Sequence, residues 1–487
     1  MYFVWILPAF VVIGAIMSGK ASTLVASMLG LGVSVAVALT AAPHSFQLAD
    51  AAVSLARGIW IGWVVVPYIL GGVLFWQIAM RPDAALPAAG ALPDVRAGRR
   101  LLFAACFLIG PFAEAATGFG VGIIGTMALV RRLQVGPVHL LVFSLLSQTM
   151  ILWGAMGSGT IMAAALARTD PTTLAVHASV LVVAFNIAWL ALYWRLADQA
   201  GFTAGWRERL REALWLGASL ALVITATALL GPETAMLAAY GPMIALRYLV
   251  DERPNRRALG RMLRRMLPFG VLIGWLAATR LFAPLEGFLL AAGRLQPFAG
   301  TPAWAPLFHA GTWLVVAAIL TGLLRGQARI FPTDVRAAWT TGRLAILSIF
   351  TFSAMAEILA GSGIATGLAQ GLFLTLGRTA VVLMSVVSAV YGALANSSNA
   401  ANGLFMAAQV NLAVEAGLHL AAAIALQHAA ALSLNLVSPV RIAIACSLAG
   451  TPGREREAYR AMLPFALVTI ALLLTAAILV VAWGAGR

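Results

Sequence analysis

The sequence predicts an all-α polytopic membrane protein, organised as an inverted repeat with two re-entrant helical hairpins and two discontinuous transmembrane helices. Three observations lead there. Of 487 residues, 62% are hydrophobic and 10% charged, against roughly 25% charged in a soluble domain. Apolar stretches of about 20 residues, the length a helix needs to cross hydrocarbon, recur along the whole chain. The apolar pattern is also interrupted twice, with the same order of parts: a Gly-, Ser- or Asn-rich apolar hairpin, then a stretch broken in its middle. No segment alternates apolar and polar residues as a membrane β-barrel strand does.

The elements follow in order. Residues 2–18 lack the basic start of a signal peptide, so this stretch is expected to remain as a helix. Spans are expected at 21–43 and 58–80. After a polar stretch with Arg81, Asp83, Arg96, Arg99 and Arg100, the apolar segment 98–132 contains Pro111, Glu114, Gly110, Gly118, Gly120 and Gly122, and ends at Arg131-Arg132. It reads as the first re-entrant hairpin. The stretch 137–167, interrupted at Trp153-Gly-Ala-Met-Gly-Ser-Gly159, reads as the first broken helix. Spans at 172–195, 213–231 and 233–249 complete a first half, 1–250. Residues 251–265, with Arg253, Arg256, Arg257, Arg261, Arg264 and Arg265, read as a basic cytoplasmic loop. The second half, 266–487, holds spans at 267–283 and 305–324, then a basic loop with Arg325, Arg329, Arg336 and Arg343. A span at 344–361 precedes a second hairpin at 379–411, a second broken helix at 418–448 and a last helix at 461–485.

The formal net charge of +15 sits in short clusters between apolar stretches. That is the pattern of the positive-inside rule rather than of a nucleic-acid binder. If both hairpins are re-entrant and both broken helices cross once, every basic cluster falls inside, both termini fall outside, and the two halves have opposite orientation. Cys106 and Cys446 lie in apolar segments and read as packing residues, with neither disulfide nor metal-ligand spacing. The sequence has no nucleotide-binding loop of the phosphate-cradling type and no nucleophile paired with a base. The Gly118–Gly122 run lacks the strand context of a dinucleotide fingerprint. No cofactor is expected.

Interrupted apolar segments at matching places in two halves point to a solute site. Unwound main chain is tolerated in a membrane only where protein or a water-filled cavity satisfies it. A hairpin tip also presents a helix N-terminus, whose free N–H groups favour an anion. The tips near Gly118-Phe119-Gly120 and Asn396–Asn402 are therefore expected to hold a small polar solute, the alternative being close helix packing through small residues. Glu114 is an acid within an apolar hairpin. Such a residue is a candidate proton carrier, or else an acceptor that pins the hairpin. Glu357 offers the same choice between proton coupling and helix packing. Arg441, two residues beyond Pro439, is a candidate carboxylate clamp, with snorkelling or pairing to Glu357 as the alternative. His139, His309, His419 and His428 are isolated and read as packing residues.

At these residues the chain resembles the lactate permease family of bacterial secondary transporters. Phe112-Ala-Glu-Ala-Ala-Thr-Gly-Phe-Gly120 is similar to the family's F-x-E-G-A-A-G-F-G, and Trp153-Gly-Ala-Met-Gly157 to its F-G-A-M/V-G. Leu394-Ala-Asn-Ser-Ser-Asn-Ala-Ala-Asn402 is similar to L-T-G-S-x-T-S-S-N, and Ser438-Pro-Val-Arg-Ile-Ala-Ile-Ala-Cys446 to S-P-Q-S-I-A-I-A-C. The resemblance covers roughly residues 100–475. It implies symport of a short hydroxy-carboxylate such as lactate or glycolate with protons, by alternating access, in a bacterial cytoplasmic membrane, and no enzymatic activity. There are departures. Ala115 replaces a glycine, Gln148-Thr149 an Asn-Thr pair, and Asn435 a lysine, while Arg441 stands nearby as a substitute cation and Glu357 replaces an asparagine.

The expected solute contacts are Thr117, Gly118, Phe119, Gly120, Gln148, Thr149, Gly157, Ser158, Asn396, Ser397, Ser398, Asn399, Asn402, Asn435, Ser438 and Arg441, with Glu114 and Glu357 for proton coupling. The expected partners are a small organic anion, a coupling proton and the lipid bilayer, with no nucleic acid. Left open are sodium in place of the proton, a sulfonated or dicarboxylic solute, a membrane-embedded enzyme, a passive channel, and the oligomeric state, a homodimer included.

Overall fold

A computed structural model describes residues 1–81, 94–118 and 120–484. Among these residues the chain forms helices and no β-strand. Eight helices are long and apolar enough to cross a membrane, or up to ten if each sharply bent pair counts as one span. The predicted all-α class is therefore observed. Asp83 and Phe119 lie outside the described residues.

Local chemistry sets most helix starts. Ser22 accepts from the Val25 N–H and begins Thr23–Ala41, and Asp170 does the same for Thr173 at the head of Pro171–Gln199. Such caps satisfy amides that the first helical turn leaves free. A reciprocal cap between Gln47 and Asp50 starts the next long helix at Leu48, ten residues earlier than its hydropathy suggests, and that helix runs to Ala79.

Two regions read as basic loops are largely helical. Asn255 caps a helix over Arg256–Leu281, so all but Arg253 of the arginines expected in a loop at 251–265 decorate its first turns. Arginine is a good helix former, and charge alone does not break a helix. That helix then bends by 90° into Ala283–Ala291. Likewise Phe331–Gly361 is one helix carrying Arg336 and Arg343. A helix with no counterpart in the sequence reading, Ile364–Leu376, packs through Gly367 and Gly371 against Trp5 and Tyr2.

The first hairpin pairs Val95–Thr117, which contains one π-helical stretch at Ala105–Ile109, with Val121–Arg131. The returning arm has 11 residues. At 1.5 Å per residue it reaches about 16 Å, half of a roughly 30 Å hydrocarbon layer. The arms are antiparallel: Thr126 donates to the Ala105 carbonyl at 3.2 Å. The second hairpin pairs Thr379–Ala395 with Ser398–Glu415 around Asn396-Ser397.

The first broken helix, Pro137–Gln148 with Ile151–Ala167, bends by 55°. Ala155, Met156 and Gly157 then adopt left-handed φ of 47°, 58° and 66°. Two of these carry a Cβ, so the backbone is strained there, as is common where main chain is shaped for a ligand. The second broken helix stops at Ser433, passes through a 3₁₀ turn at Asn435–Val437 and restarts at Pro439.

Candidate binding cavity

The two hairpin tips and the two helix breaks meet around one cavity of about 360 Å³. That lies at the small end of the roughly 300–1,000 Å³ typical of small-molecule sites. The first hairpin contributes Glu114, Gly118 and Gly120, and the first broken helix contributes Ile151, Gly154, Ala155, Ser158 and Gly159. The second tip contributes Asn396, Ser397, Ser398 and Asn399. The second broken helix adds Asn435 and Arg441.

Glycine makes this convergence sterically open at two points. A Cβ on Gly159 would stand 2.8 Å from Ser398 Oγ of the second tip. A Cβ on Gly122 would stand 2.6 Å from the Gly110 carbonyl oxygen and 2.8 Å from Glu114 Cβ, so only glycine lets the first hairpin close on its glutamate.

At the first tip, Gly118 and Gly120 have φ of +72° and +82° and turn the chain without strain. The Glu114 side chain then folds back over the head of the returning helix. Its Oε1 accepts from the Gly120 N–H at 3.3 Å and its Oε2 from the Gly122 N–H at 3.0 Å. It thus caps that helix, where the free amides and the dipole favour a negative charge. At the second tip, Asn396 takes φ +52°, and Ser397 caps the outgoing helix through the Ala400 N–H.

Arg441 lies in the first turn after the second break and joins both tips. Its Nε donates to Asn396 Oδ1 at 2.7 Å, and its Nη2 stands 4.0 Å from Glu114 Oε1. Its Nη1 is buried with no protein acceptor among the described residues, and Asn399 Oδ1 and Asn435 Oδ1 are buried without donors. Buried polar atoms in folded proteins nearly always have partners. All three of these residues, Arg441, Asn399 and Asn435, line the one cavity. Glu114 and Arg441 are the only charged groups among the described lining residues.

Residues 298–483 match the family model described as L-lactate permease. Two of the four motifs, at 394–402 and 438–446, fall within that match. The chain is 23% identical to the glycolate permease GlcA of Escherichia coli K12, over 91% of this chain and 89% of the relative. It is also 23% identical to the L-lactate permease of Bacillus subtilis 168, over 92% and 89% respectively. The lactate permease resemblance read from the motifs is thus a similarity along nearly the whole length, to proteins named as permeases and not as enzymes. Among solved structures, the YdaH transporter of Alcanivorax borkumensis aligns with 16% identity, covering 88% of this chain and 98% of its own, at a TM-score of 0.33.

Not every residue expected at the site lines the cavity. Thr117 turns inward and donates to the Ala113 carbonyl. Gln148 bonds Ser147, Asn402 bonds His428, and Gly157 packs against the backbone of Pro232 and Glu233. Thr149 and Ser438 are buried behind the lining residues. Glu357 is elsewhere. It accepts from Arg57 Nε at 3.0 Å and from Arg168 Nη2 at 2.6 and 2.7 Å, and it pairs with neither Arg441 nor the cavity. The reason is its place on the Phe331–Gly361 helix, which lines the cavity from Thr341 to Phe352 and has passed it by residue 357.

The same helix supplies what the sequence reading missed. Thr341, Leu344, Ala345, Ser348, Ile349 and Phe352 form a stripe at helical spacing. Hydroxyls at 341 and 348 on an otherwise apolar face were the available signal, hidden while residues up to 343 read as a loop. Ser22 and Thr23 also reach the cavity, and Thr23 Oγ1 donates to the Ala395 carbonyl at 3.2 Å.

Proposed function

We propose that this protein is a secondary active transporter that imports a short hydroxy-carboxylate of the lactate or glycolate class, together with protons, by alternating access. The observation that carries the reading is the cavity itself. Two hairpin tips and two helix breaks enclose one arginine with an unused N–H and two amide oxygens without donors. A monocarboxylate suits a single guanidinium, and its hydroxyl suits the amides. A dicarboxylate would bring its second charge towards Glu114, with no second cation on the wall. Similarity to permeases of lactate and glycolate supports the same solute class.

Charge supports one access state over the other. The exposed part of the lining, Ser22, Thr341, Leu344, Val440 and Ile444, lies at the end of the helices that carries Lys20, Arg336 and Arg343. The positive-inside rule supports a cytoplasmic placement of that end, with both termini periplasmic and the cavity open inward. At the opposite end, Arg57, Arg168 and Glu357 tie two long helices to the first broken helix. Arg168 also donates to the Gly300 carbonyl at 2.9 Å.

Reconstitution in proteoliposomes tests the reading. Labelled L-lactate or glycolate should accumulate under an inward proton gradient and exchange by counterflow without one. Accumulation that ignores a collapsed pH gradient would remove the proton. Uptake that requires sodium would replace it. A linear, non-saturating flux would indicate a channel and sink the carrier reading.

A further inference from the structure

We propose that Glu114 is a built-in competitor for the solute site: it holds Arg441 in the empty carrier and gives it up on taking a proton, so that one proton and one carboxylate bind as a unit. The inference rests on the transport reading above and concerns how the coupling is made.

The argument begins with charge balance. Arg441 and Glu114 face each other across 4.0 Å and are the only charged side chains among the described residues lining the cavity. With both groups ionised, the empty cavity is neutral. A carboxylate that entered alone would leave one net negative charge in a site walled by apolar and small polar groups, where unpaired charge is strongly disfavoured. A carboxylate that enters with a proton leaves the cavity neutral again: protonated Glu114, cationic Arg441, anionic solute. Empty and loaded carriers then reorient with the same net charge. No bond other than O–H is made. The proton comes from solvent and sits on a Glu114 oxygen.

The hydrogen bonds indicate which oxygen. Oε2 has the shorter bond, 3.0 Å to the Gly122 N–H. Oε1 has the longer one, 3.3 Å to the Gly120 N–H, and is the oxygen that faces Arg441. A proton on Oε1 removes the attraction to Arg441 and leaves the Oε2 cap on the helix in place. The hairpin tip keeps its shape while the guanidinium is released. Asn396 holds Nε throughout, so Nη1 and Nη2 are presented together for a two-point grip on a carboxylate. Other titratable groups do not intrude. The elements packed around the pair offer hydroxyls, amides and apolar groups to it. His428, on the same broken helix as Arg441, is engaged by Thr160 and Asn402 and does not line the cavity.

Arg441 is also where the chain departs from the motif it resembles, so the exchange belongs to this sequence rather than to the shared pattern.

Affinity measured against pH tests the exchange. In purified wild-type protein, L-lactate affinity should fall as pH rises, by up to about tenfold per unit, because one proton is bound with each anion. Glu114→Gln should bind more tightly than wild type at high pH, with affinity independent of pH. Retention of the wild-type pH dependence in Glu114→Gln would overturn the exchange. Calorimetry of the unmutated protein in buffers of differing ionisation enthalpy gives the same answer without a variant. Uptake of one proton per lactate is expected, and none would overturn it. The two readings fail separately: wild-type protein that binds no short hydroxy-carboxylate at any pH defeats the transport reading, whereas binding without proton uptake defeats the exchange alone.

Discussion

Glu114 and Glu357 are both buried acids in apolar helices, and from sequence they looked alike. Their surroundings separate them. Glu357 is saturated by two arginines at 2.6–3.0 Å and does not line the cavity. Glu114 has two main-chain amides and one arginine at a looser 4.0 Å, and it lines the cavity. A fully paired acid has little to gain from a new partner, whereas one facing a shared cation can exchange it. The difference teaches that burial alone does not mark a functional carboxylate. What marks it is an incompletely used partner.

Removing the shared cation should break the comparison most completely. Arg441→Ala should weaken lactate binding by about 100-fold, from loss of a charge-assisted hydrogen-bond pair worth roughly 2–3 kcal/mol, as read by calorimetry on purified protein. Unaltered affinity would show that the solute rests elsewhere. A smaller effect is expected from moving the cation to where the resembled family has a lysine. Asn435→Lys combined with Arg441→Gln should recover affinity to within about tenfold of wild type, since Asn435 lines the same wall and has an unused oxygen. Failure of the pair to exceed Arg441→Gln alone would mean that the position of the charge, and not its presence, sets binding.

Glu357→Gln should divide the two glutamates by phenotype. Two arginines lose their shared acid, each about a quarter to a third exposed. Solvent screening limits the cost to about 1–2 kcal/mol, well below that of a fully buried pair. Thermal unfolding should therefore fall by a few degrees, while L-lactate affinity and its pH dependence stay within about twofold. A lost pH dependence in this variant would restore Glu357 as a coupling residue. The smallest change is expected at the rim. Ser22→Ala removes an exposed hydroxyl and a helix cap worth about 1 kcal/mol, so stability should shift slightly and affinity hardly at all.

Much of the fold was legible because hydrocarbon imposes a strict length and because glycine, asparagine and proline interrupt helices wherever they cluster. The tips at Gly118–Gly120 and Asn396–Ser397 and the second break at Asn435–Pro439 fall within the segments read from the sequence, whereas the first broken helix already bends between Gln148 and Ile151, ahead of the left-handed residues at Ala155–Gly157. Helix starts were less legible. The Gln47–Asp50 cap and the helical arginines after Asn255 extend spans past their apolar cores, and hydropathy does not register capping. Within the site, Asn402 and Gln148 show the limit of reading motifs as contacts. Each sits one helical face away from the cavity, and packing around His428 and Ser147 settled which way it points. The role of Glu357 depended on Arg57 and Arg168, which are distant in sequence from it and from each other.

The most direct measurement is a structure of the protein solved with bound L-lactate. The carboxylate is expected within hydrogen-bonding reach of Arg441 Nη1 and Nη2, at about 2.7–2.9 Å, the hydroxyl near Asn399 or Asn435, and Glu114 still bonded through Oε2 to the Gly122 N–H. Lactate outside this cavity, or within it with its carboxylate out of reach of Arg441, would contradict it.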